Sequence, residues 1–467
     1  MVSEKFRHQL RAEADKWLGE ALIEQDLYEQ LAQRYQFNQL ESSARNRFIM
    51  ILLGIGSILL GLGVITFVAA NWQVWSREFK VGVLLSVFLG VNVAGFYLWR
   101  RNADGWQSRL GVGLLLLGGL ILGANIALMS QLFHQSGPIY QLYLVWGLGV
   151  LVMAYGLRLT PLAILGVILL SFGYFTPSSY DYIQDFYEYG QLSVFGFILQ
   201  HLALLGTFVL IPLAYWCGSR WLFGLSAVLI TLSLASNLGS LSLYVDSNLI
   251  SAITFCLPPA LLWAYQDSLW VRNPSENSVT LRPVARSLAV VCLSIIFYSL
   301  SFNFIWSSIG NAPWEATIPF GRLLIVLIDA LVLTALIPFA WWRLGKSSIT
   351  GRAWRLDFNS AVVAVMIITT GLLWWWHFDV SAIGTTATII FNLLLFLLGA
   401  GLVRQSLVTG KRSGFWLGIL LLSLQITSRM LEYDTELLFK AIVLLGCGVG
   451  VILAGIWFEG YLKKFSH

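Results

Sequence analysis

Charge is what this chain has least of. Only 11% of its 467 residues are Asp, Glu, Lys or Arg, against about 25% in ordinary soluble domains, while 57% are hydrophobic. A water-soluble fold cannot bury that much apolar surface, so lipid must be the solvent for most of the chain. Cysteine is scarce as well. Cys217, Cys256, Cys292 and Cys447 form no C-x-x-C pair and lie in or beside apolar stretches, which speaks against a disulfide framework or a thiolate metal site. Catalytic signatures are missing: there is no H-E-x-x-H, no G-x-S-x-G, no Walker loop and no dinucleotide fingerprint. The sequence therefore names no catalytic residue, no metal ligand and no cofactor, and is read as non-enzymatic. The net charge of +5 is spread over short segments, and without a basic face nucleic acid is not expected as a partner. Residues 1–47 carry fifteen charges and no early apolar run, so no cleavable signal peptide is expected and the N-terminus should lie in the cytoplasm.

What is present is a succession of apolar runs, each near the roughly 20 residues that one membrane helix requires. They fall at 48–70, 81–99, 110–131, 139–157, 159–176, 193–216, 221–238, 248–265, 287–309, 323–342, 359–377, 382–403, 414–430 and 439–458. The expected fold is all-α, a polytopic bundle of about fourteen transmembrane helices. Positive charge is retained on the cytoplasmic side of short loops. With both termini inside, only Arg77, Lys80, Arg322, Arg429 and Lys440 of the 29 Lys and Arg residues fall outside. One missed or invented helix would invert every later loop and spoil that bias. The expected orientation is N-in, C-in, in a cell inner (plasma) membrane. Trp72, Trp75, Trp341, Trp342 and Trp374 to Trp376 fall at expected span ends, where indole rings anchor at the headgroup level.

The expected organisation is a cytoplasmic helical hairpin at 1–47, a membrane region at 48–176, a second at 193–458 and a short cytoplasmic tail at 459–467. Within the hairpin, helices near 4–19 and 24–36 join at Gly19, and Leu10, Trp17, Leu22, Leu27 and Leu31 could share an apolar face. Such a hairpin is too small for a strong core alone. It is read either as a passive cap or as a docking element for a cytoplasmic protein partner through residues 1–45.

Several polar residues stand out against this apolar background. Asp329 lies within LLIVLIDALVLTALIPF, about 10 Å from the outer end of its span at 1.5 Å per residue. A carboxylate there must be protonated, paired or beside water, and such acids mark ion or proton pathways. Arg322, two turns away on roughly the same face, is too distant for an ideal pair. A structural hydrogen bond to a neighbouring helix is the competing role. His201 is a lone intramembrane histidine, read first as an interhelical hydrogen-bonding group. Tyr433 and Asp434 lack the glycine-rich setting that an intramembrane aspartyl protease would need. Glycines at tight spacing suggest close helix packing: Gly54, Gly56, Gly61 and Gly63; Gly118, Gly119 and Gly123; Gly446, Gly448, Gly450 and Gly455. Pro258, Pro259 and Pro338 would remove helical hydrogen bonds and permit breaks or kinks, as in the broken helices of transporters.

GLGVITFVAANWQVW at 61–75 and SQLFHQSGPIYQLYLVWGLGVL at 130–151 resemble the predicted prokaryotic membrane proteins grouped as DUF2157. The N-terminal hairpin with Trp17 and the closing RMLEYDTELLFKAIVLLGCGVGVILAGIWFE at 429–459 fit the same pattern. The likeness is best over residues 10–175. Asn71, Trp72, Gln131 and Gly137 match its motif, whereas Phe133 and Pro138 stand where relatives tend to carry tyrosine and an acidic residue. The resemblance implies an architecture and no activity. In the charge-derived orientation Asn71, Trp72, Gln131 and His134 all lie at the outer face. Gln131 and His134, three residues apart, would share a helical side, giving a candidate polar site near the acidic segment of Asp181, Asp185 and Glu188. Helix-end hydrogen bonding with an aromatic anchor explains the same residues without a site.

Three functions stay open. One is a transporter or permease with Asp329 as its intramembrane polar group. Another is a scaffold or sensor acting through the hairpin, and a third is an enzyme acting on a lipid-linked substrate.

Overall fold

The structure is a computed structural model that describes residues 4–20, 22–35, 37, 74–101, 106–177, 193–244, 248–270, 279–308, 320–346, 356–432 and 436–465, with isolated positions at 59, 66, 70 and 179. Among these residues there are seventeen α-helices, one 3-10 turn at Asp267–Leu269 and no strand. The protein is all-α, as its periodicity and composition require. The first apolar run, 48–70, lies outside the described residues, as do Asn71, Trp72 and the acidic segment 181–188.

Residues 1–87 and 88–467 form two compact units. In the first, α1 (Glu4–Gly19) and α2 (Gln25–Tyr35) make the expected hairpin. Its small core is Ala14 and Phe37, covered by Leu10, Trp17, Tyr28, Leu31, Ala32 and Tyr35. Tyr28 donates to the Asp15 carboxylate at 2.6 Å, pinning α2 to α1. Leu22 and Leu27 are exposed, contrary to expectation. Leu22 falls in the turn, and the face of α2 that meets α1 is that of Tyr28, Leu31 and Tyr35.

The membrane helices follow: α3 (Arg77–Arg101), α4 (Trp106–Leu132), α5 (Ile139–Leu157), α6 (Thr160–Phe175), α7 (Val194–Gln200), α8 (Leu202–Trp216), α9 (Arg220–Tyr244), α10 (Asn248–Ala264), α11 (Arg282–Leu300), α12 (Asn303–Ser308), α13 (Phe320–Lys346), α14 (Phe358–Asp379), α15 (Gly384–Thr409), α16 (Arg412–Glu432) and α17 (Leu437–Phe465). Nine described helices are long and apolar enough to cross a membrane: α3, α4, α5, α9, α11, α13, α14, α15 and α17. The bent pair α7–α8 makes a tenth span if counted as one. This is a multi-pass membrane protein, with fewer full-length spans described than the fourteen expected. One expected span, 48–70, lies outside the described residues, and the others that fall short have physical causes. Helices α6 and α10 are apolar but have only 16 and 17 residues. Helix α16 carries Gln425, Arg429 and Glu432 along its second half.

Neighbouring helices pack as antiparallel pairs, with α5 along α6, α8 along α9 and α15 along α16, while α10 packs against α14. Close approach at α3/α4 depends on glycine. A Cβ on Gly111 would lie 2.4 Å from the backbone nitrogen of Trp99 and 2.7 Å from the carbonyl oxygen of Gly95. The Gly118 and Gly123 positions are equally tight, against Asn92 and the Trp146 ring. The glycines of α17 behave otherwise. Gly446, Gly448 and Gly450 have no neighbour within 4 Å of a Cβ position, and the first and third line an open groove against α16. Trp374 also departs from expectation. It is buried among Phe255, Trp306 and Phe378, whereas Trp375 and Trp376 are exposed. At 3.6 residues per turn, three consecutive tryptophans cannot all face the same way.

Candidate functional site

The prolines do not break their helices. Pro258 and Pro259 lie inside α10, Pro338 inside α13 and Pro212 inside α8, each helix running on past them. The break falls at His201, where α7 and α8 meet at 78°. Neither glycine nor proline occupies that junction. A bend inside an apolar core frees backbone groups that lipid cannot satisfy, so side chains from other helices must take them.

Two of the freed groups are matched in this way. The backbone N–H of Leu204, in the first turn of α8, donates to Asp329 Oδ2 at 3.3 Å. The carbonyl of Gln200, at the end of α7, accepts from Asn237 Nδ2 of α9 at 2.7 Å. Asn237 is itself held, because its Oδ1 accepts from the Tyr174 hydroxyl of α6 at 2.5 Å. A buried N–H or C=O without a partner costs about 1–3 kcal/mol. The kink is thus stabilised by residues 37 and 125 positions away in sequence from the groups they hold, and not by the local chain.

Asp329 does more than cap. Its Oδ1 lies 2.7 Å from His201 Nδ1, and the two residues are 2% and 3% exposed. A carboxylate at the start of α8 also sits at the positive end of that helix dipole. The His201 ring packs on Phe197 with centroids 4.4 Å apart, which leaves one ring edge uncommitted. His201 Nε2 and the Gln200 side-chain amide nitrogen are both buried with no hydrogen-bond partner among the described residues.

A cavity of about 360 Å³ opens on the same helices. Thr207 and Ile211 of α8, Thr231 of α9, Leu333 and Ala340 of α13, and Tyr265 are among the residues lining it. Thr207 is six residues beyond His201 and Leu333 four beyond Asp329, about 9 Å and 6 Å along their helices at 1.5 Å per residue. The walls are mainly apolar, with hydroxyl groups from Thr207, Thr231 and Tyr265.

Two further polar clusters cap helix ends. Asp267 takes the Tyr215 hydroxyl at 2.5 Å and the backbone N–H groups of Leu281 and Arg282 at the start of α11. At the α11–α12 junction, Asn392 and Arg429 both donate to the carbonyl of Ser301, and Glu432 takes the N–H of Asn303 at 2.8 Å and pairs with Arg429. These keep short connections in place.

Asp329 and His201 are thus brought together. The structure describes no side chain for Arg322. The group that the loop charges assign to the outer face fares differently. Helix α4 ends at Leu132, and His134 has φ of +52° in the following turn. Gln131 and His134 therefore do not share a helical side, and both are exposed. The left-handed residue rotates the chain away from the helical repeat on which that grouping relied. Asn237, Tyr174 and Gln200 were not singled out from sequence. The available signal was an asparagine inside the apolar run LITLSLASNLGSLSL, since a buried amide in lipid needs a partner.

Residues 15–163 match the family model described as Predicted membrane protein (DUF2157). No curated protein and no solved structure matches the chain.

Proposed function

We propose that this membrane protein, DUF2157-like over its first third, is a permease whose solute path passes the broken helix α7–α8. One observation carries the reading: a hydrogen-bonded histidine–carboxyl pair, His201–Asp329, is buried at the break with a cavity one to two turns away on the same helices. Discontinuous helices with intramembrane acids are a recurrent way of building solute and ion sites near the midplane. In the orientation that the loop charges imply, α8 and α13 both run inward, so the cavity opens on the cytoplasmic side of the pair. Its apolar walls and few hydroxyls suit an organic solute with a largely apolar body. The membrane in question would be the plasma membrane, and the protein would catalyse no covalent chemistry.

Cysteine accessibility tests the proposal without knowledge of the solute. In a variant lacking Cys217, Cys256, Cys292 and Cys447, single cysteines are placed at Thr207, Thr231 and Leu333, with Val365→Cys on an exposed apolar face as control. A membrane-impermeant thiol reagent should label the three cavity positions and spare Val365→Cys. A bundle sealed against the reagent at all three positions would defeat the permease and favour a scaffold.

A further inference from the structure

We infer that the coupling ion is a proton, bound at His201 Nε2 and held by the His201–Asp329 pair; this rests on the permease reading. Both carboxylate oxygens of Asp329 are already engaged, Oδ1 with His201 Nδ1 at 2.7 Å and Oδ2 with the Leu204 N–H at 3.3 Å. With the carboxylate ionised, Nδ1 carries the hydrogen and Nε2 presents a bare lone pair. That lone pair is buried and has no partner among the described residues. A proton arriving from water forms the Nε2–H bond, breaks none within the pair and changes its net charge from −1 to 0. Release is the reverse.

The surroundings favour a proton over a metal cation. Calcium and magnesium take about six or more oxygen ligands, and the oxygens nearby are engaged. Asn237 Oδ1 accepts from Tyr174, and the Gln200 carbonyl accepts from Asn237. Among the described residues no group of three His, Cys, Asp or Glu could hold a metal ion. The groups facing His201 are few. Helix α13 presents Asp329 and α7 presents Phe197 to the His201 ring, while Asn237 of α9 holds the neighbouring Gln200 carbonyl and Tyr174 of α6 donates to Asn237 and to the Ser233 carbonyl. The one titratable group of α10, Cys256, is turned to the Ile367 carbonyl of α14. Among the described residues His201 is the basic group paired with Asp329.

Loading therefore controls the break. Protonated, the pair is neutral and can stay dry. Unprotonated, it is a net negative charge in a low-dielectric core, stabilised only by two N–H groups and the α8 dipole, and it gains by admitting water. Because Asp329 also caps α8, hydrating it loosens the α7–α8 junction.

The test uses full-length protein carrying ¹⁵N-histidine in lipid nanodiscs, with the His201 signals assigned by their loss in His201→Gln. As pH is raised, Nε2 should pass from protonated to bare while Nδ1 stays protonated, and Asp329→Asn should weaken proton binding by about tenfold or more. An Nε2 signal that keeps one state throughout, or that titrates identically in Asp329→Asn, overturns the proposal. The wild-type titration needs no variant to fold. The thiol labelling separates the two ideas: labelled cavity cysteines with a non-titrating His201 retain the permease and remove the proton.

Discussion

Replacing Asp329 by alanine and by asparagine should give two different costs. Alanine removes both acceptor oxygens, orphaning the Leu204 N–H and His201 Nδ1 in an interior where Asp329 is 2% exposed. Each orphaned group costs about 1–3 kcal/mol, in line with about 3–5 kcal/mol for removing one partner of a buried pair. Asparagine keeps the volume, its oxygen accepts from the Leu204 N–H, and its amide N–H donates to Nδ1 once His201 takes the other tautomer, so the loss reduces to the charge assistance of the bonds, about 1–2 kcal/mol. The unfolding entropy of soluble proteins, about 2.1 cal/mol/K per residue, implies a shift of about 1 °C per kcal/mol for a chain of this length. The expected Tm losses are then roughly 3–5 °C for Asp329→Ala and 1–2 °C for Asp329→Asn. Helices that persist in the unfolded membrane state lower the entropy and enlarge both shifts, leaving their order unchanged. Thermal denaturation in detergent micelles, followed by intrinsic tryptophan fluorescence, reads both. His201→Ala with Asp329→Ala should cost less than the two singles together by about 0.5–3 kcal/mol. Strict additivity, or an asparagine variant weaker than the alanine one, would refute the pairing argument.

Three other outcomes follow from the packing. Gly111→Ala should destabilise by about 1–3 kcal/mol or more, because its Cβ meets the backbone of Trp99 and Gly95; Gly113→Ala, with nothing within 4 Å, should leave Tm unchanged or slightly raised. Asn237→Ala removes the donor to the Gln200 carbonyl, while the Tyr174 hydroxyl keeps the Ser233 carbonyl at 3.1 Å, for a loss of about 1–3 kcal/mol in the same denaturation assay. Trp374→Ala should cost about 3–5 kcal/mol, far above Trp376→Ala, whose ring is exposed and holds only the Ser381 hydroxyl at 3.1 Å; equal losses would contradict the burial of Trp374.

Helices were legible wherever lipid alone dictates them. Thirteen of the expected runs coincide with described helices, because an uncharged run near 20 residues has few other stable conformations in lipid. The hairpin was legible too, from its charge and its turn at Gly19. Fine packing was not. Gly118 and Gly446 look alike in sequence, yet one sits against Asn92 and the other lines an open groove. Small residues permit close approach without requiring it. The three tryptophans at 374–376 show the same gap, since run position gives depth in the membrane but not which side of the helix faces inward.

The broken helix shows why the site was only half legible. Sequence reasoning looked for a break at proline, the residue that locally forbids a helical hydrogen bond. Yet Pro212, Pro258, Pro259 and Pro338 are all carried inside helices, and the 78° bend lies at Gln200–His201. Local propensity does not forbid a helix there. The bend exists because distant groups offer the backbone something better than its own i→i+4 bond: Asn237 for the Gln200 carbonyl and Asp329 for the Leu204 N–H. Those are the two atoms that one continuous helix would have bonded to each other. Asp329 and His201 were each conspicuous as polar residues in apolar runs, but their pairing across 128 positions has no local signature. A polar residue within a membrane run announces that it needs a partner; the partner emerges only from the fold, and here it is the same contact that bends the helix.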